Sequence, residues 1–134
     1  MPGKTQAQTD AVLNVLRGTN ITAPASVYVG LFSANPANDA SAGTELSGNG
    51  YARQQVTFGA PATDTGNVRK ISNVGVITFG PATGADWAPA VGFGIFDALT
   101  NGNLLYWDSL TTPKTVAVGD KAEFAVGALV VKED

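Results

Sequence analysis

The stretch GFGIFDALTNGNLLYWDSL, Gly92–Leu110, decides how this chain folds. Two runs rich in Phe, Ile, Leu, Tyr and Trp flank the segment ALTNG. Asn101-Gly102 is the strongest short hairpin signal available, because a type I′ turn needs positive φ at both central residues. With those two residues as the turn, Asp97 faces Tyr106, Phe96 faces Trp107 and Ile95 faces Asp108. Alternation then places Phe96, Ala98, Leu105 and Trp107 on one face. Ile95, Asp97, Leu99, Leu104, Tyr106 and Asp108 share the other. A turn with an odd residue count would reshuffle this register. The stretch reads as scaffold, a hairpin carrying Phe96 and Trp107 into a core or a subunit contact.

On both sides of the hairpin the period of two persists. SVYVGLF (Ser26–Phe32) alternates Val27, Val29 and Leu31 with Tyr28, Gly30 and Phe32. YARQQVTF (Tyr51–Phe58) and RKISNVGVITFG (Arg69–Gly80) are the next expected strands. Thr115–Val118 and Ala122–Lys132 follow the hairpin, joined by the turn VGD. The fold class expected is mainly β: one antiparallel β-sandwich domain over residues 1–134, jelly-roll-like, with about seven or eight strands.

One helix is expected in the N-terminal segment 1–18. AQTDAVLNVLR puts Val12, Leu13 and Leu16 on one face, with Ala11 and Val15 flanking. Thr9 or Asp10 suits its N-cap and Gly18 the position past its end. It reads as a packing helix that covers one end of a sheet, the alternative being a partner-binding helix. Residues 33–50, SANPANDASAGTELSGNG, form a long expected loop of small residues and turn formers. Loops of this length are often functional. Glu45 and Leu46 are its bulky handles for a neighbouring subunit.

The 134 residues include no His and no Cys. That excludes disulfides, Cys nucleophiles, Cys/His zinc sites and a Ser-His-Asp triad. Carboxylates are the remaining catalytic candidates. Asp97 and Asp108, diagonal on one hairpin face, approach the separation of a glycosidase pair; they also suit a cation held with loop oxygens. Solvated carboxylates at strand edges are the simpler reading. Neither GFG nor SGNG is a phosphate loop, since no Lys-Ser or Lys-Thr follows at the required spacing. The expectation is a protein without enzymatic activity, metal or cofactor. Net charge is −3, and the eight Lys and Arg residues are scattered, so no nucleic-acid partner is expected. No run reaches the ~18 apolar residues of a membrane helix, and the start lacks the apolar core of a secretion signal. Synthesis in the cytoplasm, with no membrane association, is expected.

Several blocks occur together and in order: LNVLRGTNITAPASVYVGLFSANP, GTELSGNGYARQQVTFGAP, ITFGPATGADW and VGFGIFDALTNGNLLYWDSLTTPKTVAVGD. Together they resemble a family of small bacteriophage virion proteins commonly labelled head decoration (cement) or tail fibre proteins. The resemblance spans nearly the whole chain and departs from the family pattern at Gly92-Phe93. It implies a structural part of a phage particle. The reading preferred from sequence is a capsid decoration protein on the capsid surface. Its partners would be the major capsid protein and further copies of itself, as a dimer or trimer. The alternative is a tail or tail-fibre component contacting the host surface or glycans. Candidate interface residues are Glu45, Leu46, Trp87, Tyr106 and Trp107.

Overall fold

The computed structural model describes residues 3–133, and strands dominate them. In chain order they are β1 (Gly3–Lys4), β2 (Val27–Ala34), β3 (Thr44–Glu45), β4 (Gln54–Val56), β5 (Ala62–Thr63), β6 (Arg69–Ser72), β7 (Ile77–Phe79), β8 (Trp87–Phe96), β9 (Leu104–Val116), β10 (Ala122–Phe124) and β11 (Val130–Glu133). The helix α1 (Gln6–Val15) lies between β1 and β2.

Alternation along β2 makes it a central strand. Val29 and Leu31 point into the main core, while Phe32 packs on the opposite face with Phe96, Leu104 and Trp107. The large sheet runs β1-β9-β8-β2-β3, with β4 also paired to β2. Two smaller sheets, β10-β7 and β11-β6-β5, complete the fold, and every named strand pair is antiparallel. Val29, Leu31, Phe93 and Ile95 of the large sheet share one core with Ile77, Phe79, Ala122 and Phe124 of the small ones. Phe124 sets its ring at a steep angle to Phe79 and Phe93, centroids 6.2 and 6.3 Å away, a favoured aromatic arrangement.

The antiparallel sandwich stands, but its sheets are unequal and its described strands number eleven, not seven or eight. Two expected strands are each broken. The Arg69–Gly80 run divides into β6 and β7, and the Ala122–Lys132 run into β10 and β11. The breaks face each other across Asn73, which is 2% exposed. Its Nδ2 donates to Gly75 O (2.7 Å) and Ala125 O (3.0 Å), and its Oδ1 accepts from Leu129 N (2.9 Å). One amide thus satisfies backbone groups that lose their ladder partners where the chains turn.

The hairpin keeps its expected turn residues but not its register. Asn101 and Gly102 both take positive φ, 56° and 71°. The loop, however, closes one turn earlier. Asp97 N donates to Asn103 O (3.2 Å), and Asp97 Oδ1 accepts from Asn103 N (2.7 Å). Trp107 therefore lies opposite Gly94 instead of Phe96, a displacement of two residues. An even displacement preserves the faces, so Phe96 and Trp107 still share one. A register shift between Ile95 and Phe96 then brings Leu104 to their side, against expectation. Gly94 makes this packing possible, because a Cβ there would sit 2.6 Å from both Phe32 and Leu104.

Three further expectations change. The N-cap is Thr5, not Thr9 or Asp10: its Oγ1 accepts from Gln8 N (3.4 Å) and donates to Leu104 O (2.7 Å), at 0% exposure. Gly18 closes the helix region with φ 85° as expected. None of the ten helix residues is buried, so α1 does not act as a cover for the sheet. The segment 33–50 is also less loop-like than its composition suggests. Phe32 pairs with Glu45 in the β2–β3 ladder, and Leu46 N donates to Leu31 O (2.9 Å).

Candidate functional site

Within GTELSGNGYAR (Gly43–Arg53), three polar side chains converge. Arg53 Nε and Nη2 grip the two oxygens of Glu45 at 2.9 and 2.8 Å, the bidentate geometry that makes such pairs strong. Arg53 Nη1 donates to Ala98 O (2.9 Å) and Asn101 O (2.8 Å), reaching the hairpin loop. Its guanidinium carbon lies 3.5 Å from the Phe96 ring centroid, a cation–π contact. Tyr51 OH donates to Glu45 Oε2 (2.7 Å) and accepts from Leu31 N (3.0 Å). Burial first, and then the hydrogen bond to Glu45, hold the Tyr51 phenol well above its ordinary pKa. Glu45 is thus engaged inside the chain, at the centre of a clamp between the 44–53 segment and the hairpin.

Leu46 and Trp87 are core residues, 7% and 6% exposed, and offer little surface to a partner. Trp87 Nε1 donates to Asn49 O (2.8 Å), and its ring meets Tyr51 edge-on at 5.6 Å. Tyr106 and Trp107 are half-buried and line a groove of about 480 Å³ together with Asn38 and Asp108. Trp107 Nε1 donates to Asn38 Oδ1 (3.0 Å). Tyr106 OH donates to Glu133 Oε2 (2.7 Å), and Glu133 pairs with Lys4. Burial and that hydrogen bond raise the Tyr106 phenol above its ordinary range. The structure therefore brings Tyr106 and Trp107 together, and separates them from Glu45, Leu46 and Trp87.

Asp97 and Asp108 do not form a pair. Asp97 closes the hairpin loop through Asn103, whose N and Nδ2 it accepts at 2.7 and 3.1 Å. Asp108 lies opposite Phe93 and accepts from Ser109 N (2.7 Å). Both carboxylates thus serve local backbone geometry. Among the described residues, no group of three or more acidic side chains is placed to hold a metal ion. No helix among them is long and apolar enough to cross a membrane.

Sequence reasoning assigned the most exposed apolar surface to packing. Val12, Leu13 and Val15 of α1, with Leu16 at its C-cap and Ile21 beyond it, are 39–86% exposed. A second apolar feature lies where the large sheet and the β11-β6-β5 sheet part. There a slot of about 470 Å³ is lined by Val27, Phe58, Pro61, Ile71 and Val131 together with Arg69, Lys70, Lys132 and Glu133. Periodicity signalled the helix face; no local pattern signals a slot assembled from distant strands. A third feature is a knuckle of exposed valines, Val74, Val76 and Val126, on the two turns joined by Asn73.

The arrangement commits Glu45, Tyr51, Asp97, Tyr106, Asp108 and Glu133 to internal bonds. Comparison with the curated proteins returns no match. A family model described as podophage GP4 fiber I protein gp80 matches residues 3–132. That range takes in the clamp, the hairpin and the exposed helix, so the match spans nearly the whole chain and not one motif. The chain belongs to the podophage GP4 fiber I protein gp80 family and is a structural protein of a bacteriophage.

Proposed function

We propose that this protein is a fibre component of a podophage particle, working through rigid surfaces and not through catalysis. The observation that carries the reading is the family match over residues 3–132. It favours the tail-fibre alternative over the capsid-cement reading preferred from sequence. The geometry supports a passive structural role. The large sheet is buried on both faces at β2 and β8, while apolar side chains project from α1. A rigid body with an adhesive handle suits attachment in a particle.

Copy number and position test the proposal. Cryo-electron microscopy of purified particles, with gold-labelled antibody against this chain, should place a small set of copies at the tail vertex. Hundreds of copies spread over the shell, in contact with the major capsid protein, would overturn the fibre reading and restore the cement one.

A further inference from the structure

Asn precedes Gly twice in this chain, at Asn101-Gly102 and at Asn49-Gly50. Such a pair carries its own chemistry. Gly has no Cβ to shield its nitrogen, so that nitrogen can attack the amide carbon of the Asn side chain. A new N–C bond forms there and the C–NH2 bond breaks. The amine departs as ammonia, taking the proton of the Gly amide. Water then opens the cyclic imide at either carbonyl and leaves Asp or isoaspartate. The reaction needs no group beyond the chain itself and water. All four residues are exposed, so water reaches both pairs.

Backbone geometry decides whether the attack occurs, because the reacting atoms must be close and aligned. The imide ring holds the Gly nitrogen eclipsed with the Asn Cβ. That setting is close to the first central residue of a type II′ turn, with positive φ there alone. Both pairs stand in the other primed turn. Asn101 and Gly102 have φ 56° and 71°, and Asn49 and Gly50 have 52° and 86°, positive at both positions as in type I′. Passing from I′ to II′ flips the Asn-Gly peptide plane and turns the Asn carbonyl oxygen to the opposite side.

We infer that Asn101 is a latent deamidation site which Arg53 locks by holding the Asn101 carbonyl oxygen in place. Arg53 Nη1 donates to Asn101 O at 2.8 Å, across 48 residues of sequence. The flip that exposes the reactive geometry must break this charge-assisted bond. Asn49 is locked in the same way by different donors. Its carbonyl oxygen accepts from Thr83 N and from Trp87 Nε1, both at 2.8 Å. Each turn thus has its own independent latch, supplied by the fold and not by the turn. At Asn101 the latch is also the clamp. The isoaspartyl form adds a methylene to the backbone and a carboxylate to a loop already closed by Asp97, so conversion there withdraws a partner from Arg53.

The test separates loss of one latch from general loosening. The wild-type chain, Arg53→Ala, Trp87→Phe and Asn73→Ala are incubated side by side in mildly alkaline buffer, with the peptide Asp97–Leu105 as the unstructured reference. Mass spectrometry of digests measures conversion at each Asn separately. Wild-type Asn101 should convert far more slowly than the peptide. Arg53→Ala should speed conversion at Asn101 roughly tenfold, equivalent to ~1.4 kcal/mol, which one hydrogen bond to a charged group can supply. Its Asn49 should keep the wild-type rate. Trp87→Phe should show the converse, faster conversion at Asn49 with Asn101 unchanged. Asn73→Ala, destabilised with both latches intact, should match the wild type at both sites. A wild-type Asn101 as reactive as the peptide, or an Arg53→Ala variant no faster there, would overturn the inference. So would a rise at both sites together in Arg53→Ala or Asn73→Ala, since global opening exposes both turns alike.

Discussion

The clamp around Arg53 and the helix α1 reverse the usual distribution of residues. In the clamp, charged groups are inside: the Arg53 side chain is 9% exposed and bonded to Glu45, Ala98 and Asn101. On α1, aliphatic groups are outside and none of the helix residues is buried. The difference is one of purpose. The clamp contributes stability and fixes the hairpin. The helix contributes almost nothing to the fold of its own chain, because its apolar face removes little area from water until something docks on it.

Substitutions should expose this contrast, the largest effect coming from the clamp. Arg53→Ala leaves the Glu45 carboxylate with Tyr51 OH as its remaining donor and strips the donor from two hairpin carbonyls, and should cost about 3 kcal/mol. In a domain of this size that lowers Tm by roughly 10 °C, measurable by calorimetry. An unchanged Tm would mean that the clamp is decorative. Asn73→Ala should cost about 2–3 kcal/mol, since it strips partners from Leu129 N, Gly75 O and Ala125 O. Hydrogen exchange should rise at Leu129 and around both breaks before it rises elsewhere.

Next in size is a pH effect. Because the folded Tyr51 phenol is raised above its ordinary value of 10.0, the unfolded chain ionises first as pH rises. The stability this group contributes is complete below pH 10 and is lost progressively above it. Tyr51→Phe should flatten that alkaline loss. At the acid end, a hydrogen bond from Lys132 and one from Thr65 N hold Asp64 at about 2. Its contribution is present above the usual carboxylate range and fades as pH falls towards 2, so Asp64→Asn should reduce the acid sensitivity slightly. The smallest effect belongs to the helix. Leu13→Glu with Leu16→Glu should leave the stability of the chain, measured by calorimetry, within about 0.5 kcal/mol.

Much of the scaffold was legible because alternation is a local property. Val29, Leu31, Phe96 and Trp107 took their expected faces, and the helix and its terminal Gly18 followed from period and turn chemistry. What escaped was set by long-range partners. Nothing near Asn73 announces that its amide will meet Ala125 and Leu129. Glu45, Tyr51 and Arg53 sit in a stretch whose small residues read as a free arm, and their significance depends on Leu31, Ala98 and Asn101. The hairpin register moved because the Asp97 carboxylate competes with the turn for Asn103 N. The apolar stripe on α1 was read correctly as a stripe; that it stays exposed instead of covering the sheet is a tertiary matter that no spacing encodes. Among the candidate interface residues, Leu46 and Trp87 went into the core for a related reason, since bulk in a polar neighbourhood signals burial and docking equally well.

The anchoring of Thr5 has a mechanical consequence. A tug on α1 is delivered through Thr5 and β1 to the root of β9, the longest strand, which is laced along its length to β8. Force entering along such a strand must shear many hydrogen bonds together instead of peeling them one at a time. A handle sewn in at that point lets the body bear tension without coming undone.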